Sequence, residues 1–222
     1  MTKPKAVMSW SSGKDSAFAL HAAQQAGELD IVGLLTTVSE THDRVAIHGV
    51  RDELLDAQIA AIGLPCLKVW LPTPCPNAVY EARMAAAAET LKGQGVTHMI
   101  FGDLFLADIR AYREANLAKA GMTGVFPLWG RETPALARAM VASGLVAHIA
   151  TLDPTRLDPS FCGRVFDNAF LDALPDGIDP CGENGEFHTF ASAGPIFANP
   201  IPVRTGETVT RDGFVYTDLL PG

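Results

Sequence analysis

Six residues near the N-terminus, Ser11-Ser12-Gly13-Lys14-Asp15-Ser16, combine small hydroxyls, a glycine, a cation and a carboxylate. They fall between a strand-like run, Val7-Met8-Ser9-Trp10, and a helical stretch from about Ser16 to Ala26 that stops at Gly27. At such a junction backbone N–H groups and the positive end of the helix face an anion, so the segment reads as a phosphate cradle. Gly13 allows close approach of the backbone or positive φ, the serines leave room for oxygens and add donors, and Lys14 supplies a point charge. Asp15 suits phosphates once Mg²⁺ bridges its carboxylate to their oxygens, and it could also cap the helix. A plain capped turn is the competing reading of the same six residues. Nothing in the chain matches the Walker pattern G-x-x-x-x-G-K-[ST].

A second concentration of chemistry is Gly182-Glu183-Asn184-Gly185-Glu186-Phe187-His188-Thr189, where two carboxylates, an amide and an imidazole stand between turn-forming glycines. In an alternating strand Glu186 and His188 share a face, which suits a substrate amine, ammonia or a metal. The plainer reading is a polar turn entering a strand. Asp103, after Gly102, ends a buried strand, at the edge where open α/β sheets bind ligands, with capping of the next segment as its ordinary role. Arg110, Arg113 and Glu114 lie on helix turns where a solvated ion-pair face is the default. His21, His42, His98 and His148 have no ligand spacing and read as structural or surface residues, whereas His48 sits in a motif-like loop.

These residues must be positioned by an α/β frame. The first two-thirds of the chain alternates apolar runs with helical periodicity, the pattern of βα units feeding a parallel sheet. Strands are expected at 31–38, 66–71 and 98–101, and helices at 54–62, ending at Gly63, and at 78–91, closed by Gly93 and Gly95. Further helices are expected at 110–120 and 134–143, with a strand at 146–152. Beyond it Pro and Gly become frequent and the rhythm is lost, which marks a smaller α+β part with a helix near 165–174 and a terminal hairpin turning at Asp212-Gly213. The division is placed at residues 1–132 for nucleotide binding and 133–222 for the substrate.

Composition narrows the function. With 222 residues, 48% of them hydrophobic, the chain can bury a sizeable core. No apolar run reaches the roughly 18 residues of a membrane span, and Met1-Thr2-Lys3-Pro4-Lys5 leads straight into a strand, so a cytoplasmic protein is expected. The net charge of −8 argues against nucleic acid as a partner. Arg110, Arg113 and Lys119 would form the one local basic patch. Cys66, Cys75, Cys162 and Cys181 are scattered, without a CxxC pair, and read as reduced thiols at loop ends.

The loop closely resembles the SGGxDS PP-loop of the adenine-nucleotide α-hydrolase superfamily. Ser12 stands where that family usually has glycine; serine fits by size but disfavours positive φ. Beyond the loop, His48-Gly49-Val50, Gly102-Asp103 with Asp108, Arg110, Arg113 and Glu114, Pro127-Leu128-Trp129, Gly163-Arg164, the segment from Gly182 to Thr189 and Gly194-Pro195-Ile196-Phe197 resemble the diphthine–ammonia ligase family. These landmarks span nearly the whole chain in the family's order.

The resemblance implies a HUP-type, Rossmann-like sheet with flanking helices, closed by the small second domain. It implies an enzyme that uses ATP and Mg²⁺ to adenylate a carboxylate, releases pyrophosphate, and lets ammonia displace AMP to leave an amide. The acceptor is diphthine on elongation factor 2 in eukaryotic and archaeal members; here it is an unidentified carboxylate, protein-borne or small. Implied roles are catalytic for Lys14, Asp15, Glu186 and His188, with Asp15 on the metal. Ser11 to Ser16, Thr36, Thr37, Gly102 and Asp103 would hold ATP. Arg110, Arg113, Glu114, Glu183, Asn184, Glu186, His188 and Thr189 would hold substrate, with the segment Glu183 to Thr189 serving the acceptor step apart from ATP. A homodimer is a modest preference. Two other functions compete: a different PP-loop reaction on tRNA or a small molecule, against which the acidic charge and absent cysteine pair argue, and a nucleotide-binding sensor without turnover, against which the polar segment argues.

Overall fold

The computed structural model describes residues 2–40 and 50–222. Two sheets organise the chain. The first is parallel and is built from β1 (Lys5–Ser9), β2 (Asp30–Ser39), β3 (Cys66–Leu71), β4 (Val96–Ile100) and β5 (Thr123–Val125), in the order β3-β2-β1-β4-β5. Helices α1 (Lys14–Ala26), α2 (Asp52–Ile62), α3 (Asn77–Gly93) and α4 (Ala107–Lys119) cover its two faces. The chain winds outward from β1 to β3, then returns to β4 on the other side of β1. The order therefore reverses between β1 and β4, and the crevice at their C-terminal ends is where such sheets bind ligands. The phosphate loop leaves β1 there, and Gly102-Asp103 leaves β4 there.

The second sheet is antiparallel, in the order β7-β6-β9-β8, from β6 (Val146–Leu152), β7 (Phe187–Ala193), β8 (Val203–Arg211) and β9 (Phe214–Pro221). The β8–β9 hairpin turns at Asp212 and Gly213, both at positive φ (53° and 84°), the conformation that a two-residue hairpin turn of this hand requires. Helix α5 (Thr133–Ala142) starts with Pro134 in its first turn and precedes this sheet. The short α6 (Asn168–Ala173), capped by the Asp167 carboxylate on Phe170 N (2.7 Å), is packed with it. It is shorter than the 165–174 expected, because Val165 and Phe166 bond to β6 and Asp167 turns the chain into the helix.

Packing divides by face. Helices α1 and α2 share one apolar core with the second sheet: Leu20, Leu54 and Met8 belong to the same cluster as Phe166, Phe187 and Phe190. Helices α3 and α4 cover the opposite face with a smaller cluster around Val69, Leu91, Met99 and Phe101. The alanine-rich α3 buries only Ala87, Ala88 and Leu91 among its described residues. Its small side chains leave space against the sheet. Among the described residues no helix is long and apolar enough to cross a membrane, and all four cysteines are free.

His148, half-buried on β6, has no hydrogen-bond partner for Nδ1 among the described residues, and burial lowers its pKa from the ordinary 6.5. As pH falls through that value the unfolded chain binds the proton first, so the folded state loses stability in the acid direction and has its full share above it. We predict that His148→Leu flattens this loss between pH 7.5 and 5.5 in urea unfolding. Parallel pH profiles for the two proteins would mean that His148 protonates freely in the fold.

Candidate functional site

The phosphate loop is shaped by Ser12. Its φ is 70°, so the serine adopts the left-handed conformation it was expected to avoid, while Gly13, the expected position for positive φ, is extended at −88°. The turn directs the Ser12 carbonyl away from the crevice. It accepts from Gln58 Nε2 (3.0 Å) and from Ala191 N of β7 (2.9 Å). Because the peptide is planar and trans, the Gly13 N–H points the opposite way, where among the described residues it makes a long contact of 3.4 Å to Ser11 Oγ.

Gln58 is fully buried and uses its whole amide. Its Oε1 accepts from Trp10 Nε1 (3.0 Å), and its Nε2 donates to Ala191 O (2.6 Å) as well as to Ser12. Gln58 belongs to no recognisable motif, yet a glutamine inside the apolar run of α2 is itself a signal: a buried amide must find partners.

Lys14 departs from expectation. Its side chain is buried, and Nζ donates to Asp15 Oδ1 and Oδ2 (3.0 and 2.8 Å) and to the Cys181 carbonyl. Burial is the largest influence and opposes its charge, but Asp15 and the other acidic groups around it together hold its pKa above the ordinary lysine value. Lys14 N donates to Thr189 Oγ1 (3.0 Å). Gly13 is the N-cap of α1, which has no side-chain cap, so Asp15 does not serve that role. Ser16 Oγ donates to Gly13 O (2.9 Å) and accepts from Ser11 Oγ (3.1 Å), closing the loop on itself.

The segment Glu183 to Thr189, expected to stand apart from the phosphate loop, is in contact with it through Thr189. Strand β7 begins at Phe187, so Glu186 precedes it and the expected shared face with His188 is not formed by strand alternation. Glu186 is 1% exposed, and its Oε1 accepts from Asp179 N (3.3 Å) and Asn184 Nδ2 (3.2 Å). It is built into the loop, while His188 is half-buried on β7. Glu183 reaches across instead: its Oε1 accepts from Leu104 N (2.7 Å), beside the end of β4. Burial, with Asp15 and Asp103 adding to it, pushes the Glu183 carboxyl up to about 7.

On the opposite side of the loop a cleft of about 670 Å³ opens between the sheet and helices α3 and α4. Ser9, Trp10 and Ser11 form its rim on the loop side, with Thr36 and Thr37 from β2. Apolar side chains such as Leu71, Met99 and Phe101 line its body. Arg113 also lines it, with Nε 3.1 and 2.9 Å from the two Asp103 oxygens and its guanidinium 4.6 Å from the Phe101 ring centre. Arg110 stacks on Phe126 and Trp129 and pairs with Glu114 (2.8 Å) on the more exposed side of α4. With Lys119 bonded to Asn116, the three cations expected as a basic patch are each engaged locally. His48 and Gly49, of the motif-like loop, lie outside the described residues, as does His42.

The geometry suits a nucleotide. Ser12 Oγ and Thr36 Oγ1 are buried without a partner among the described residues, the kind of polar atom that a ligand or water satisfies. Among the described residues no three His, Cys, Asp or Glu side chains group into a metal site. A lone carboxylate is nonetheless the usual protein share for Mg²⁺, which takes its remaining ligands from phosphate and water. Asp15 offers that share, since its side chain is 28% exposed beside the loop.

Gly102 fixes the distance between the two crevice-forming segments. A Cβ there would stand 2.8 Å from Asp15 C and 2.9 Å from Ser16 N, backbone atoms of the first turn of α1. The absence of a side chain at this residue lets β4 approach the loop. We predict that Gly102→Ala costs about 1–3 kcal/mol in urea unfolding, the scale of an overpacked site, and weakens nucleotide binding. Wild-type stability in the variant would show that the loop can shift freely.

Two protein-family models match the chain in succession: the diphthamide synthase N-terminal domain over residues 4–123 and the diphthamide synthase C-terminal domain over 132–218. A diphthine–ammonia ligase of Homo sapiens is 32% identical over 120 residues, which are 51% of this chain and 45% of that protein. The chain thus spans about half the length of that relative. A diphthine–ammonia ligase of Danio rerio is 26% identical over 221 residues, covering 90% of this chain and 86% of its own length. The first model alone accounts for more than half of the sequence, and the chain belongs to the diphthamide synthase family.

Proposed function

We propose that the chain is an ATP-dependent amide ligase that activates a substrate carboxylate through the α-phosphate of ATP, with pyrophosphate leaving, and then joins it to ammonia with release of AMP. The observation that carries this reading is the Ser12 turn, which faces its carbonyl away from the crevice and presents the loop beside a nucleoside-sized cleft. The relatives named diphthine–ammonia ligase support the same reaction class.

In this reading adenosine occupies the cleft at Thr36 and Thr37, and the phosphates meet the Gly13 N–H and the first turn of α1. Asp15 would hold Mg²⁺, which would supply positive charge beside the phosphates. The division of labour assigns residues 1–132 to the nucleotide and 133–222 to the acceptor and ammonia. A carboxylate lacks a good leaving group and AMP provides one, so the protein contributes positioning and charge more than a nucleophile of its own.

Ammonia must lose a proton as the amide forms. Glu183 suits that step better than Glu186 or His188, since it reaches the crevice at Leu104 and its carboxyl, at about 7, exchanges a proton near neutrality. Arg113, with Asp103, stands where a substrate carboxylate could be met.

We predict that α-labelled ATP yields AMP, with matching pyrophosphate, only when a carboxylate acceptor and ammonia are both present. Glu183→Gln should lower the rate of amide formation at saturating ATP without a comparable change in ATP affinity. ADP and phosphate as products would contradict the reaction class.

A further inference from the structure

Lys14 is the loop cation that sequence alone assigns to the phosphates. The structure gives its ammonium other partners. An ammonium has three protons, and the two Asp15 oxygens and the Cys181 carbonyl account for them. The rings of Phe166 and Phe187 lie 5.5 and 5.3 Å away and close the remaining approach with apolar surface. The side chain is 2% exposed, whereas that of Asp15, its neighbour in sequence, is 28% exposed.

Cys181 belongs to a segment that is bonded into one unit. Gly182 N donates to Asp179 O (2.9 Å) and Gly185 N to Gly182 O (3.1 Å). Glu183 N donates to Asp179 Oδ2 (2.8 Å), and Asp179 N donates to Glu186 Oε1 (3.3 Å). Whatever holds Cys181 therefore also holds Glu183, whose carboxylate reaches Leu104.

We infer that Lys14 is a positioning residue, a latch that fastens the Asp179–Glu186 loop to the phosphate loop through the Cys181 carbonyl, and not a ligand of the nucleotide's phosphates. The inference deepens the ligase reading and rests on it for its consequence: the latch holds the acceptor side in register with ATP. A methionine in its place fills the pocket between the two phenylalanines but cannot bond Cys181 or Asp15.

The test has two arms. In the first, ATP and AMP are titrated by calorimetry into wild type and Lys14→Met, and amide exchange is followed across 179–186. The latch predicts that the ratio of ATP to AMP affinity stays close to that of wild type while exchange in 179–186 quickens by about tenfold or more and acceptor-dependent AMP release falls. A phosphate ligand predicts the reverse: the ratio drops by about tenfold or more, the scale of one charge-assisted contact, with exchange unchanged. That result would overturn the inference.

The second arm needs neither a folded variant nor nucleotide binding. Wild-type protein is acetylated under native conditions and its lysines are read by mass spectrometry. Lys14 should stay unmodified with or without ATP while exposed Lys92 reacts. Ready acetylation of Lys14 in nucleotide-free protein would overturn the latch. Failure of wild type to bind ATP would instead strike at the ligase reading, leaving the acetylation and exchange results to decide the latch alone.

Discussion

Ser12 holds a left-handed conformation that serine seldom adopts, and the cost, about 1–2 kcal/mol, is offset by where the turn sends its carbonyl. Two donors meet it, the Gln58 amide and the Ala191 N–H. One comes from α2 in the first sheet's layer and the other from β7 in the second sheet. A single carbonyl thus joins the two sheets, and the same peptide turns the Gly13 N–H toward the crevice. Glycine would adopt the turn without strain, so the serine leaves the loop dependent on the partners that hold it.

Much of the remaining site follows from that joint. With Ala191 fixed, Thr189 two residues earlier on β7 meets Lys14 N, and the segment before the strand lies against the loop. Glu183 then extends the contact to Leu104, beyond Gly102, where the absence of a side chain lets β4 approach α1. The carboxylates gathered here, Asp15, Asp103, Asp179 and Glu183, are held by few charges of opposite sign: Lys14 is committed to Asp15 and Arg113 to Asp103. Glu183 is bound by a neutral N–H and its carboxyl is raised to about 7, while burial raises that of Asp15 as well, in spite of Lys14. The unbalanced position of Glu183 makes it a group that can exchange a proton.

The α/β frame was legible because parallel strands buried on both faces are continuous apolar runs. Central β1 is such a run, with Ala6, Val7 and Met8 all buried, and the strands expected at 66–71 and 146–152 also coincide with edge strand β3 and with β6 of the antiparallel sheet. Three-residue β5 is too short to give a period and was missed; it exists through pairing with β4. The phosphate loop was legible as a junction, but its conformation was not. Positive φ at Ser12 is imposed by Gln58 and Ala191, residues 46 and 179 positions away, which no local propensity reveals. The surroundings of Lys14 and Glu186 were hidden for a related reason: residue type suggests what a side chain can bind, whereas burial decides what it reaches. At Gly102 the fold adds a requirement that residue type alone does not reveal, the absence of a Cβ beside the first turn of α1.

The account makes the Ser12 carbonyl, clamped by Gln58, the common support of nucleotide binding and of the contact between the sheets. Replacing Gln58 with leucine keeps the shape of α2 but removes the clamp and leaves Trp10 Nε1 without its partner. Calorimetric titration of ATP into Gln58→Leu, at a temperature where circular dichroism shows the variant folded, separates the possibilities most directly. The account predicts an affinity at least about tenfold below that of wild type, equivalent to about 1.4 kcal/mol. Wild-type ATP affinity in the folded variant would mean that the loop holds its conformation alone, and would contradict the central claim.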